Sequence, residues 1–445
     1  MKIALVIHHF PPNYSAGSEQ YAFRVAKGLT RLEQTVEVIC IESITEGNLE
    51  PQCVTEQYEG LTVHRLHFDS HKAPNFREWM FRNPELGKWF KTYLQQNRPD
   101  IVHINSGYLL GGTIFQAAFD LHIPTVLTVH DYWFMCPRIT LLRTNGKICD
   151  KPVEPEYCVW CSLLEKRRFQ AFNHFPLRTI GEQLFVSMSR LRGVDELLEA
   201  TPFTDLTRER RQYLKQILEQ VDLALFPSRF LMRKIEEYGF ALRRKVYLPF
   251  QVNITQRVQP AKAIPGRLRI GYLGQFTFHK GVHLLISAFQ QLKQGQSRGE
   301  LFLYGNTEAE PHYIEQLRRM ARGRADIHFM GAYPNHEVGL ILNGLDVIVT
   351  PSLWYENRPT VIVEAYAMQT PVIAARIGGM AEMVCHGQNG LLFEPGNVHS
   401  LAEQLQRLID QPELLTRLQA GIQTDNAQED EITTLIGLYQ SLLPH

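Results

Sequence analysis

The residues best suited to chemistry are concentrated between Pro351 and Ala365. Here the chain reads Pro351-Ser352-Leu353-Trp354-Tyr355-Glu356-Asn357-Arg358-Pro359-Thr360-Val361-Ile362-Val363-Glu364-Ala365, directly after a strand-like run. Pro359 fits the first position of a helix, so the amides of Thr360 and its neighbours would stand unpaired at a helix N-terminus and suit an anion. Glu364 would lie on the second turn, and Glu356 in the loop before it. Both carboxylates can then border one pocket while touching different parts of a ligand, and a carboxylate accepts hydrogen bonds from sugar hydroxyls well. Spacing alone also fits a solvated loop glutamate followed by an ordinary helix glutamate.

A second constellation is Cys136, Cys149, Cys158 and Cys161, with turn signals Asn145-Gly146 and Pro152 to Pro155 between them. Four thiolates including a two-residue gap suit tetrahedral zinc. An iron-sulfur centre and four unconnected thiols are the other readings; a thioredoxin-like motif is excluded because no β-α-β pattern follows. Since Cys136 comes six residues after His130, a metal here would brace that loop, a structural role. Cys40, Cys53 and Cys385 read as isolated thiols.

These residues must be positioned by a chain of 445 residues, enough for two or three domains, and 44% hydrophobic content can bury a core in each. Lys plus Arg (46) balance Asp plus Glu (46), so no overall field attracts nucleic acid or anionic lipid, and any basic patch is local. The apolar start, Met1 to Ile7, is too short for a signal or a membrane span and reads as a buried strand. No run of 18 apolar residues follows, which predicts a soluble or peripheral protein with reduced thiols, in which sequons at Asn13 and Asn253 carry little meaning.

Two segments begin alike. Lys2 to His8 is a strand pattern followed by a turn and a helical stretch from Ser18 to Leu32. Arg267 to Leu273 repeats the plan, with a Gly274 loop and a helical stripe from Gly281 to Leu292. Strand-like runs at Val36–Ile41, Leu61–Leu66, Ile101–Ile104, Thr125–Val129 and Leu223–Phe226 alternate with helical patterns in the first half. Leu301–Tyr304, Ile327–Met330, Val347–Thr350 and Val372–Ala374 do so in the second. Alternation of this kind predicts an α/β protein of two Rossmann-like, doubly wound parallel-sheet lobes, with ligands at the carboxyl ends of the strands. Residues 1–250 would form the first lobe, 251–266 a linker, 267–428 the second lobe, and 429–445 a last helix able to pack on either. The cleft between the lobes is the default site. A Cys-rich and helical insertion, about 132–220, interrupts the first lobe. Within it, Leu163 to Gly193 carries Lys166, Arg167, Arg168, Arg178, Arg190 and Arg192 against Glu165 and Glu182, interleaved with Phe169, Phe172, Phe175 and Phe185. That composition fits a membrane or lipid-linked-acceptor surface, and equally a helical pair packing its phenylalanines inward.

The motifs together resemble family-4 retaining glycosyltransferases of the GT-B fold, which carry a Glu, seven residues and a second Glu where this chain has Glu356 and Glu364. Pro371 to Glu382 with Gly378-Gly379, then Asn389 to Phe393, resembles the family's next strand, diglycine turn and closing strand. Phe329-Met330-Gly331 is similar to its base-binding turn, Gly274 to Gly281 to its phosphate loop, Ala16-Gly17-Ser18-Glu19 to its N-lobe glycine loop, and His130-Asp131 to its HD pair.

The resemblance implies a retaining hexosyltransferase that moves a sugar from a nucleotide-diphosphate sugar, with UDP or GDP as carrier, to a glycan or lipid-linked acceptor. By that implication Lys280 neutralises the departing diphosphate, Glu364 accepts the ribose hydroxyls, and Glu356 contacts the transferred sugar. His130 leans over that sugar, and Gly17, without a Cβ, admits phosphate or sugar close to the backbone. Gly331, Asn357, Arg358, Pro359 and Thr360 complete the donor site. Two departures stand out. Gln275 replaces an arginine common in the family, for which Arg358 is a candidate substitute, and Gly305-Asn306-Thr307 lacks a usual second glycine. No Asp-x-Asp motif occurs, so transfer is expected to need no catalytic divalent metal. The implied location is cytoplasmic, at most peripheral to the inner membrane face. A nucleotide-sugar epimerase, or a non-catalytic protein that binds nucleotide sugars or carbohydrates, remains the alternative on the same scaffold.

Overall fold

Strand pairing follows from the apolar runs. The computed structural model describes residues 1–14, 16–164, 177–188, 200–250, 252, 267–293, 299–308, 310–423 and 428–443. Within them the chain falls into two compact units, one of Met1–Pro249 with Asp430–His445 and the other of Phe250–Glu429.

The amino-terminal unit is built on β1 (Lys2–Ile7), β2 (Thr35–Ser43), β3 (Gln52–Tyr58), β4 (Leu61–His67), β5 (Ile101–Asn105), β6 (Thr125–Thr128), β7 (Leu223–Phe226) and β8 (Lys245–Tyr247). They lie in the order β3-β4-β2-β1-β5-β6-β7-β8. All neighbours are parallel except β3 and β4, an antiparallel hairpin whose turn places Glu59 at φ 52° and Gly60 at φ 79°, the left-handed pair a two-residue hairpin needs. β5, β6 and β7 are buried at every residue, as parallel strands covered by helices on both faces are, and the polar side chains they bury include His103, Asn105, Thr125 and Thr128. The edge strand β3 is largely exposed and polar, which is why no apolar run announces it.

The last helix, Gln428–Gln440, packs on this same unit. Arg24 forks onto Glu431 at 2.8 and 3.0 Å, and the Tyr439 hydroxyl shares a 2.6 Å hydrogen bond with His103 Nδ1 inside the sheet. Between β6 and β7 the insertion contributes helices Pro155–Leu163, Leu177–Met188 and Ala200–Gln220. Its own core consists of Val159, Trp160, Leu163, Leu164, Phe185 and Val186. Of the interleaved phenylalanines, Phe185 is thus buried. Phe169, Phe172, Phe175, Lys166, Arg167, Arg168, Arg190 and Arg192 lie outside the described residues, as does the expected linker apart from Val252.

The carboxyl-terminal unit has β9 (Leu268–Leu273), β10 (Gly299–Tyr304), β11 (Ile327–Gly331), β12 (Val347–Thr350), β13 (Val372–Ala375) and β14 (Gly390–Phe393), all parallel, in the order β11-β10-β9-β12-β13-β14. The direction of winding reverses between β9 and β12. In open α/β sheets that switch point opens a crevice at the strands' carboxyl ends, where ligands bind. The doubly wound parallel architecture expected from the sequence is the one observed.

Candidate functional site

The loops that leave β9 and β12 meet at this switch point, and two backbone features lock them together. Gly281 sits at φ +73°, and a Cβ there would lie 2.0 Å from the Pro351 carbonyl oxygen, so only glycine allows the approach. The Leu353 amide donates to the His279 carbonyl at 2.8 Å. Lys280, at the end of the short turn Phe278–Lys280, is thereby aimed at the second loop.

Its Nζ donates to Glu356 Oε1 at 2.7 Å, and Ser352 Oγ and Trp354 Nε1 donate to the same oxygen at 2.8 Å each. Burial opposes ionisation of Glu356, yet the Lys280 charge and the three hydrogen bonds outweigh it and hold the carboxyl below its usual range. Glu356 is therefore a buried carboxylate with one oxygen saturated. Its second oxygen takes no hydrogen bond among the described residues and can accept one from a ligand hydroxyl. The Lys280 ammonium also lies 5.4 Å from the Trp354 ring centroid, a cation-π contact that further restricts it.

A third loop supports the second from behind. After β13, Gly378 adopts φ +60° and the Gly379 amide donates to the Glu356 carbonyl at 2.7 Å. A Cβ on Gly379 would stand 1.5 Å from the Asn357 carbonyl oxygen. The diglycine thus fixes the backbone that carries Glu356, whereas the sequence shows it only as a turn.

The helix that follows is Thr360–Ala367, with Pro359 at the N-cap, φ −62° and ψ 121°. This corrects the expected register by one residue: the proline's ψ is extended, so it precedes the helix instead of opening it. Glu364 lies on the second turn as expected. Its side chain makes no hydrogen bond or ion pair among the described residues, and burial pushes its carboxyl up to about 7. Its charge is felt by Tyr333, which follows Gly331 at the end of β11 and meets Tyr304 edge-on at 6.0 Å. Gly331 is at φ +83° with open space around its Cα, and its carbonyl accepts from the Gly305 amide at 2.8 Å.

Gln275 is exposed, its carbonyl held by the Tyr272 hydroxyl at 2.6 Å. Arg358 Nε donates to the Phe250 carbonyl at 3.0 Å. Lys280, Gln275, Gly331, Glu356, Asn357, Arg358, Pro359, Thr360 and Glu364 all belong to the loops and helix at the carboxyl ends of β9, β11 and β12. Ser352, Trp354 and Tyr333 join them without any signal in the sequence beyond proximity to a motif.

The remaining candidates belong to the amino-terminal unit. Gly17 opens the helix Gly17–Arg31 and is exposed. Two residues on, Glu19 is buried against His8 at 3.2 Å and Ser18 at 3.0 Å; burial would raise its pKa, and these partners reverse the shift. His130 follows β6, with Nε2 3.4 Å from Asn105 Oδ1 and the Tyr21 ring edge-on at 4.7 Å. Burial, reinforced by the His8 and Arg24 charges against the pull of Glu19, drives its imidazole down to about 3, so it is neutral near pH 7. Asp131 accepts from Ser106 Oγ at 2.6 Å and from the Trp133 amide at 2.8 Å, fixing the turn after His130.

The cysteine expectation finds no geometric support. All seven cysteines are free, and among the described residues no group of three or more His, Cys, Asp or Glu is arranged to hold a metal ion. Cys158 and Cys161 lie on the helix Pro155–Leu163 and Cys136 and Cys149 in the preceding loop, near enough to feel one another's charge but not gathered into a ligand set. Burial raises the thiols of Cys149, Cys158 and Cys161, Cys158 to about 12.

Comparison with known proteins gives matches along almost the whole chain. Residues 16–250 match the family described as "Glycosyl transferase 4-like domain", and residues 255–424 match "Glycosyl transferases group 1". The chain is 32% identical over 422 residues to a glycogen synthase of Mycobacterium tuberculosis, covering 93% of this chain and 87% of that protein. It is 24% identical to a D-inositol 3-phosphate glycosyltransferase of Corynebacterium aurimucosum over 55% of this chain and 61% of the other. Among solved structures, sucrose-phosphate synthase from Thermosynechococcus elongatus superposes with a TM-score of 0.66 at 20% identity, covering 99% of this chain and 98% of that one. The Anabaena protein HepE in complex with UDP does so with a TM-score of 0.66 at 16% identity, covering 100% of both.

Proposed function

This chain belongs to the group 1, family-4 glycosyltransferases of the GT-B fold, and we propose that it transfers a hexose, with retention and without a divalent metal, from a UDP- or GDP-sugar to a glycan or lipid-linked acceptor. As a member it is a glycosyltransferase that draws on nucleotide-sugar donors. The finer reading rests above all on the Lys280–Glu356 pair at the sheet's switch point. The glycogen synthase relative supports a glycan acceptor, and HepE, solved with UDP and with UDP-glucose, supports a uridine carrier.

In this reading the donor diphosphate binds beside Lys280. Arrival of the diphosphate draws the ammonium from Glu356 or lets it bridge both, and the charge that builds on the leaving group meets a donor already in place. The free oxygen of Glu356 accepts a hydroxyl of the transferred sugar. Glu364 accepts the ribose hydroxyls, with the base on the Gly331–Tyr333 turn. In the amino-terminal unit, neutral His130 serves as a hydrogen-bonding contact to sugar and not as a proton donor, with Gly17 as a close-approach position. No step needs paired carboxylates on a metal, in keeping with the lack of an Asp-x-Asp motif. Incubating the protein with UDP-, GDP- and ADP-sugars and a set of glycan acceptors should release nucleoside diphosphate with at least one pair. A uniform lack of release would favour a binding protein, and donor isomerisation without release an epimerase.

Two expectations follow from the geometry. Because Glu364 titrates at about 7, only its ionised form is a full acceptor for ribose hydroxyls, while the donor's diphosphate stays ionised throughout. Raising the pH from about 6 to 8 should therefore lower the donor KM roughly eight- to tenfold, as the ionised fraction rises from about a tenth to nine-tenths. Glu364→Gln should flatten the profile; an equally steep profile in that variant would assign the titration elsewhere. Arg358, held by Phe250, is proposed to supply the positive charge missing at Gln275. Arg358→Ala should reduce turnover roughly tenfold, less than loss of a directly placed donor, and an unchanged rate would remove it from the site.

A further inference from the structure

The helix Pro84–Asn97 and the start of β3 enclose a cavity of about 270 Å³ that none of the candidate site residues line. Its wall is aromatic and its rim is charged. Trp89 and Tyr93, one turn apart on the helix, both line it, with ring centroids 5.7 Å apart and planes within 11° of parallel. Tyr93 is fixed: it is buried, its hydroxyl donates to Glu37 at 2.6 Å, and the His64 ring meets it edge-on at 5.3 Å. Trp89, half-buried, is thereby held as a flat platform at the cavity's side. At the rim, Lys88 stands 3.9 Å from Glu85 and 4.0 Å from Glu50, too far for hydrogen bonds, so both carboxylates keep their acceptor capacity.

Size, shape and charge select the ligand. The cavity is smaller than the roughly 300–1,000 Å³ of pockets for drug-sized molecules, so it suits a small ring. Two near-parallel aromatic planes offer a flat face and not the crossed walls of a cage around a cation. A hexose in its chair form lays C–H bonds on such a face while its hydroxyls reach outward to acceptors such as Glu50 and Glu85. Two carboxylates against one ammonium leave the rim net negative, which disfavours phosphorylated or otherwise anionic ligands. Pro51, also on the lining, precedes Gln52 of β3, which pairs with His67 at the end of β4. The cavity therefore lies at the carboxyl end of the sheet, the end from which the segments leading to Gly17 and His130 emerge. From β3 to β6 there are five strand spacings, about 24 Å, so a single sugar cannot fill both places and a chain of several can.

We propose that this cavity is an anchoring subsite for a neutral glycan chain, holding a sugar residue remote from the end that receives the transferred hexose; this rests on the glycan-acceptor reading, but binding is measured without donor, so the two can fail separately. Calorimetric titration of the full-length protein with maltoheptaose, cellohexaose and mannohexaose should show saturable binding of at least one, and none of oligogalacturonate, the anionic control. Trp89→Ala should weaken that binding at least tenfold. Glu50→Ala, altered at a side chain that is 78% exposed and so harmless to folding, should weaken it roughly threefold. In transfer assays Trp89→Ala should raise the KM for the bound oligosaccharide roughly tenfold, with kcat and the KM for the matching disaccharide unchanged. Failure of all three neutral chains to bind the parent, binding unaltered in both variants, or an equal rise in the disaccharide KM would each overturn the proposal. Binding that is lost in Trp89→Ala, in a protein that turns over no donor, would keep the cavity as a glycan site and overturn only the transfer reading.

Discussion

Lys280→Ala should lower turnover by roughly 10²- to 10³-fold, the loss usual when one preorganised donor to a developing negative charge is removed, about 2.7–4 kcal/mol. The donor KM should rise by much less, because the ammonium matters most when the diphosphate leaves. The substitution has a second consequence that must be separated from the first. Glu356 is 8% exposed, and without Lys280 it keeps only the Ser352 and Trp354 hydrogen bonds. Stranding a partner of a fully buried pair costs about 3–5 kcal/mol. Lys280 retains 25% side-chain exposure, so about 2–3 kcal/mol is the expected loss of stability here. The double variant Lys280→Ala/Glu356→Gln removes the stranded charge and should recover most of that stability without recovering turnover. Chemical denaturation alongside single-turnover kinetics distinguishes the two effects. If the rate of correctly folded Lys280→Ala matched the parent, the placement of the diphosphate beside Lys280 would be wrong.

What the sequence discloses follows from how each feature is encoded. Buried parallel strands such as β7, β12 and β13 are apolar at nearly every residue, and the helices between the strands carry period, so both sheets are legible. β3 is hidden because an exposed antiparallel edge needs neither continuous nor alternating hydrophobicity. The attachment of the last helix depends on the Arg24–Glu431 and His103–Tyr439 pairs, each separated by more than three hundred positions, and no local pattern reports them. At the site, Lys280, Glu356 and Glu364 are legible through their motifs. Ser352 and Trp354 look like loop filler until their donors converge on one oxygen. The cysteines are a different case: their spacing suits zinc, and among the described residues no group of three or more His, Cys, Asp or Glu is arranged to hold a metal ion. Thiol spacing constrains the chain between ligands but says nothing of where the Cys136 and Cys149 loop packs against the helix bearing Cys158 and Cys161.

Gly379→Ala, a change of one methyl group at a residue that is not a proposed donor contact, should cost turnover at least about a hundredfold. The added Cβ would lie 1.5 Å from the Asn357 carbonyl oxygen, whereas an ordinary carbon–oxygen contact needs about 3.3 Å. Neither group is the flexible end of a side chain, so the loop from Glu356 to Arg358 must move by nearly 2 Å, and the Gly379–Glu356 backbone hydrogen bond at 2.7 Å must break. A displacement of about 1 Å of a reacting group already costs roughly 10²-fold. This one would part Glu356 from Lys280 while shifting the start of the Thr360–Ala367 helix. Overpacking of this kind should also destabilise the fold by about 1–3 kcal/mol. Gly437→Ala is the matched control: it lies on an exposed helical turn with no atom within 4 Å of the new methyl, and should stabilise by up to about 1 kcal/mol with turnover unchanged. If Gly379→Ala kept turnover within threefold of the parent while folded, the fixed position of the Glu356 loop would not matter to the reaction, and Glu356 would lose its proposed contact with the transferred sugar.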